Sequence, residues 1–113
     1  MDANGVLAGR IAFVTGAGRG IGAAIARGYA QAGAVVCCMA RTGSEITAIA
    51  RALEEEGGRA FAISGDVTDA GSVSRALDAT SERAGGVDIL VVNAGVSLDP
   101  GTVLASSFAI FPL

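Results

Sequence analysis

Between Thr15 and Gly22 the chain reads Thr-Gly-Ala-Gly-Arg-Gly-Ile-Gly, with glycine at 16, 18, 20 and 22. Glycines let a backbone turn without steric cost and let a second backbone or a ligand come close. If a helix starts inside this run, its first amides have no acceptor in their own helix. Those amides and the positive end of the helix dipole attract an anion, phosphate above all. Gly16 suits the turn, while Gly20 and Gly22 leave room for a pyrophosphate and for close helix–sheet contact. No Lys-Ser or Lys-Thr follows the glycines, so the run is not an ATPase loop.

Such a cradle needs a strand before it and a helix after it. Residues 11–15 are a short apolar run suited to a buried strand. From 20 to 32, Ile21, Ala24, Ile25, Gly28, Tyr29 and Ala32 recur at spacings of three and four, which predicts a helix with a small inner face. Gly33 can close it. Residues 34–40 are apolar without alternation, as in a strand covered on both faces. Thr42 is expected to cap a second helix with Glu45 as reciprocal partner. Ile46, Ile49, Ala50 and Leu53 would face inward, and Glu54, Glu55 and Glu56 would form a solvated end. A third strand is expected at 60–64 and a third helix at 69–84, with Val73, Ala76, Leu77 and Ala84 inward. Gly85-Gly86 would stop that helix, and 88–93 give a fourth strand. This rhythm implies parallel strands joined by right-handed crossovers. The expected fold is α/β, a doubly wound sheet of order 3-2-1-4, with a ligand at the carboxyl ends of the first and fourth strands.

The composition narrows the partners. The 113 residues suffice for one domain, and 51% are apolar against 17% charged. The net charge is −3, and all eight basic residues are Arg, spaced singly. That argues against nucleic acid, which calls for a gathered basic face. Cys37 and Cys38 are adjacent, so in a strand they point to opposite faces; reduced, buried thiols are expected. No Cys/His pattern fits a metal, no signal peptide is visible, and no run reaches the ~20 apolar residues that span a membrane. A cytoplasmic protein without membrane contact is the expectation. Residues 100–113 carry no charge and are set apart as a tail from a domain at 1–99. This tail packs on the sheet edge, pairs with another molecule, or stays loose.

With these pieces in order, the chain resembles the N-terminal half of a classical short-chain dehydrogenase/reductase. Family members open with Thr-Gly-x-x-x-Gly-x-Gly, matched by Thr15, Gly16, Gly20, Ile21 and Gly22. They carry an Asp, often followed by Val, after the third strand, matched by Asp66 and Val67. They end the fourth strand with Asn-Ala-Gly, matched by Asn93, Ala94 and Gly95. The resemblance implies a Rossmann-like fold that here ends before the later strands. It implies that Asp66 bonds the adenine amino group and that Val67 meets the ring through its backbone. Asn93 would steady the central strands, Ala94 and Gly95 would flank the cofactor ribose, and Ile21 would approach the diphosphate. Gly18 completes the loop.

The end of the second strand bears on the cofactor. A carboxylate there would hold the ribose hydroxyls of the unphosphorylated dinucleotide. This chain has Met39-Ala40-Arg41-Thr42. Arg41, with Arg19 from the loop, suits a ribose 2′-phosphate, so NADP(H) is expected ahead of NAD(H).

The family's chemistry uses a Ser, a Tyr-x-x-x-Lys and a helix-borne Asn, all beyond the Asn-Ala-Gly motif. This chain has no Lys, and its single tyrosine, Tyr29, reads as a packing residue in the first helix. Ser97, Ser106 and Ser107 lack the partner pair. No catalytic and no metal-binding residue is assigned. The expectation is the NAD(P)-binding portion of an oxidoreductase, truncated or fragmentary, without turnover on its own. The alternatives are a non-catalytic dinucleotide-binding module and an interaction protein. The latter would use an exposed fourth-strand edge or the tail, including for self-association.

Overall fold

The computed structural model describes residues 5–96 and 105–112, and from Ala94 onward the main chain alone. The N-terminal tetrapeptide, Ser97 and the first part of the uncharged tail lie outside the described residues. The elements are β1 (Ile11–Thr15), α1 (Gly20–Gln31), β2 (Val35–Ala40), α2 (Gly43–Glu55), β3 (Arg59–Ser64), α3 (Ala70–Ala84), β4 (Ile89–Val96) and β5 (Ala105–Pro112). Their order across the sheet is β3-β2-β1-β4-β5. β1 to β4 pair in parallel, with Phe13 opposite both Cys37 and Leu90. The 3-2-1-4 order read from the alternation is therefore present.

The strands alternate side chains between two apolar layers. Ala12, Val14, Val36, Cys38 and Val91 face α1 and α2, where they meet Ala26, Ala30, Ile46, Ala50 and Leu53. Phe13, Cys37, Met39 and Phe61 face α3 and its Ala76. Val73, Leu77 and Ala84 pack beside that layer. Helices thus cover both faces, as the unbroken apolar strands require. Arg83 on α3 sits over the Phe61 ring, 4.3 Å from its centre. Cys37 and Cys38 are free thiols, one in each layer. Burial pushes them up to about 11 and about 12 respectively, so both stay protonated at neutral pH.

Several expectations change. The buried seam of α1 is Gly22, Ala26 and Ala30. Ile25 and Tyr29 flank it, while Ile21, Ala24 and Gly28 face outward. The smallest residues win the inner position because β1 and β2 lie close beneath. Thr42 stands at the N-cap of α2 but makes no side-chain bond there. Glu45, its expected partner, is bonded to Arg19 instead. The acidic end of α2 is not merely solvated, since Glu56 forms an ion pair with Arg27 of α1. The fourth strand is not an edge either. β5 pairs antiparallel along all of β4, from Ile89–Pro112 to Val96–Ala105. An apolar strand with a free ladder of polar main-chain groups is a liability, and the uncharged tail segment satisfies that ladder.

The sheet is pinned differently at its two ends. At the amino end Asp88 and Ile11 exchange bonds: Asp88 N–H donates to the Ile11 carbonyl and Ile11 N–H to Asp88 Oδ2, both 2.8 Å. No helix among the described residues is long and apolar enough to cross a membrane.

Candidate functional site

At the carboxyl end of the same strand pair the main-chain ladder gives out. Pairing of β1 with β4 reaches Val14–Val91, and beyond it the Thr15 side chain takes over. Its hydroxyl accepts from Asn93 N–H at 2.9 Å and donates to the Val91 carbonyl at 3.4 Å. Thr15 is 2% exposed, so a hydroxyl, with both a donor and an acceptor, is what this buried position needs. Gly16 follows at φ +62°, a left-handed conformation that side chains rarely take. Asn93 Nδ2 donates to the Gly16 carbonyl at 3.4 Å. Asn93 Oδ1 is buried without a partner among the described residues. Thr15, Gly16 and Asn93 are thus brought together, and they fasten the loop to β4.

The glycines of the loop do different work. A Cβ on Gly22 would lie 2.0 Å from the Gly16 carbonyl oxygen and 2.8 Å from Asn93 Nδ2. One on Gly16 would lie 2.9 Å from the Asn93 carbonyl oxygen. These two glycines close the loop onto its own helix and onto β4. Gly18 instead lies against α2, where a Cβ would come 2.8 Å from Glu45 Oε2. Gly20, at φ +59°, faces open space. Gly20 therefore has open space beside it, while Gly22 serves the close contact.

The amides complete the cradle. Ala17 N–H is spent on the Met39 carbonyl at 3.2 Å, which ties the loop to β2, and Ala23 N–H bonds the Arg19 carbonyl at 3.3 Å. Between them, the amides that open α1, those of Gly20, Ile21 and Gly22, have no acceptor among the described residues. The side chain of the N-cap Arg19 makes no capping bond to α1, and the first turn of α1 holds no acid. A row of unbonded donors at a positive helix end, over the crevice between β1 and β4, fits a diphosphate.

The neighbouring strand ends supply the rest of the rim. Asp66 follows β3, where its Oδ1 accepts from Thr68 N–H at 2.9 Å and Thr68 Oγ1 at 2.7 Å. These bonds, helped by the charge of Arg41, hold its carboxyl below the usual carboxylate range. Asp66 is thus a turn former, and Oδ2 is left without a bond among the described residues. Arg41 stands exposed at the exit of β2, its carbonyl accepting from Ser64 Oγ at 3.2 Å. Arg19 is turned away toward α2, so the two arginines share no partner. Ile21 and Val67 are 47% and 43% exposed, two of the three large hydrophobics so exposed among the described residues. Both lie on this rim. Ala94 and Gly95 stand in β4, their main chain opposite Ser107 and Ser106 of β5.

Sequence reasoning missed three contributors. Gly65 makes room where the chain leaves β3, since a Cβ there would lie 2.5 Å from Met39 Cε and 2.9 Å from Ser72 Oγ, and both side chains would have to shift. Ser72 accepts the Asp66 N–H at 2.9 Å. Glu45 engages the loop arginine. A glycine between a strand and an Asp was a visible signal for the first; the other two are tertiary contacts with no local signature. No group of His, Cys, Asp and Glu that could hold a metal is found among the described residues.

Comparison with known proteins agrees with this geometry. The model of the short chain dehydrogenase family matches residues 10–109. An uncharacterized oxidoreductase of Mycobacterium tuberculosis is 38% identical over 87% of this chain and 37% of its own length. A dehydrogenase/reductase of Sinorhizobium meliloti, known by crystal structure, is 45% identical with a TM-score of 0.75 over 78% of this chain and 35% of that one. A metagenomic short-chain oxidoreductase, crystallised in complex with NADP, is 35% identical with a TM-score of 0.69 over 73% of this chain and 37% of that one. The chain therefore spans little more than a third of the length of these relatives. With the glycine loop, the Asp after β3 and the Asn-Ala-Gly of β4 all at one rim of a parallel sheet, the chain belongs to the short chain dehydrogenase family and carries the front portion of its dinucleotide-binding fold.

Proposed function

We propose that these 113 residues form the dinucleotide-holding portion of an oxidoreductase and take NADP(H) ahead of NAD(H). The observation that carries this reading is the row of unbonded amides from Gly20 to Gly22 over the β1–β4 crevice. The diphosphate would lie against those amides, with Gly20 giving it room. The adenine would lie by Asp66 and Val67, and Ala94 and Gly95 would border the ribose on the nicotinamide side. Arg41 is the group for the 2′-phosphate, since no acid stands at the end of β2. The NADP complex of one relative supports the choice of cofactor. The family's Ser and Tyr-x-x-x-Lys are not in this sequence, so these residues bind cofactor without reducing a substrate. A cytoplasmic setting agrees with the two unpaired thiols.

Calorimetric titration of the chain with NADPH and NADH tests this. NADPH should bind about tenfold tighter, as one charge-assisted phosphate contact provides, and Arg41→Asp should remove the preference. Equal affinities, or tighter NADH, would overturn the cofactor assignment.

A further inference from the structure

Arg19 opens α1, but its guanidinium reaches sideways to α2. Nη2 lies 2.6 Å from Glu45 Oε1, and Nε lies 3.4 Å from Glu45 Oε2. One edge of the guanidinium is thus held by both oxygens of one carboxylate. The arrangement is built in on the Glu45 side: that side chain is only 32% exposed, against 80% for Arg19. It rests on Gly18, where a Cβ would come 3.1 Å from Glu45 Cβ and 2.8 Å from Oε2. Only a glycine at 18 lets the carboxylate lie that close to the loop. Glu45 is diverted from the reciprocal cap at Thr42 to make this contact. Its carboxylate also raises the Arg19 guanidinium above its ordinary value.

We propose that Glu45 is a positioning residue that limits selectivity for the 2′-phosphorylated cofactor by competing for Arg19. This rests on the reading that Arg19 and Arg41 serve the 2′-phosphate. A guanidinium presents the same two-donor edge to a carboxylate and to a phosphate. Glu45 already occupies that edge, so a phosphate must displace it or accept the remaining donors. An anion close to Arg19 also repels an incoming dianion. Arg41 forms no salt bridge among the described residues. Arg41 thus carries most of the 2′-phosphate recognition, and Arg19 is held in partial reserve.

The test uses the 113-residue chain, adenosine 2′,5′-bisphosphate and adenosine 5′-monophosphate, with affinities read by calorimetry. Glu45→Gln should tighten the bisphosphate about three- to fivefold, the scale of an exposed ion pair, and leave the monophosphate within twofold. In an Arg19→Ala background the same substitution should change neither ligand. Arg19→Ala alone should weaken the bisphosphate less than Arg41→Ala does, a comparison that stands even if Glu45→Gln folds poorly. Preference for the bisphosphate with no gain in Glu45→Gln would overturn the role of Glu45 alone. A gain that persists without Arg19 would do the same. No preference in the unsubstituted chain would overturn the cofactor reading and this inference with it.

Discussion

α3 begins with its own carboxylate in place: Asp69 caps it, Oδ1 accepting the Gly71 N–H at 2.9 Å. α1 begins with a cationic N-cap whose side chain bonds none of its amides and with no acid in its first turn. Both helices follow strands of one parallel sheet, and both start at the same rim. One is finished by the chain itself, and the other is left to be finished by something else. An unmet helix start costs stability, and a side-chain cap returns about 1 kcal/mol of it. The chain takes that gain at α3 and forgoes it at α1, where the glycine loop instead meets the end of β4. α2 also lacks a side-chain cap at Thr42 but carries Glu45 in its first turn; α1 alone of the three has neither, and it is the helix over the crevice between β1 and β4.

The contrast can be tried hardest at Gly22. Gly22→Ala should destabilise the chain by about 2–3 kcal/mol, as overpacking against a backbone carbonyl does, despite the better helix propensity of alanine. Dinucleotide titration should show no binding. A stable variant with unchanged affinity would mean that the close seating of α1 does not shape its open start. Thr15→Val is the next trial. It takes the hydroxyl away from Asn93 N–H and the Val91 carbonyl, at a cost of about 1–3 kcal/mol in urea melts. A neutral result would show that the hydroxyl does not fasten the crevice. Asp69→Ala should cost about 1 kcal/mol and leave dinucleotide affinity unchanged. Loss of affinity there would erase the distinction between the two helix starts.

Much of this was legible from local pattern. The strands announce themselves as apolar runs, the helices as three-and-four spacings, and the loop as glycines at alternate positions. What escaped depends on distance. The Thr42/Glu45 pattern looks like a reciprocal cap, yet Arg19, 26 residues earlier in the chain, offers the carboxylate a stronger partner. The inner seam of α1 escaped because alanine and glycine carry almost no hydrophobic signal. Larger residues such as Ile21 attract attention, although Ile21 is turned outward at the rim. Packing of the tail on the sheet edge was one of three fates left open, and the strand β5 realises it; its register was not legible because it is decided by the unpaired ladder of β4, which exists only once the sheet is formed. At the site, the loop and the two motifs were readable. The turn at Gly16 was readable too, but the division of duties between Gly20 and Gly22 was not, since it follows from which neighbour each one faces.

Cys37 and Cys38 sit back to back in β2, one looking into each layer of the fold. The strand therefore carries a witness on either side. A thiol reagent admitted beneath α1 and α2 meets Cys38, and one admitted beneath α3 meets Cys37. The order in which the two are modified reports which cover lifts first.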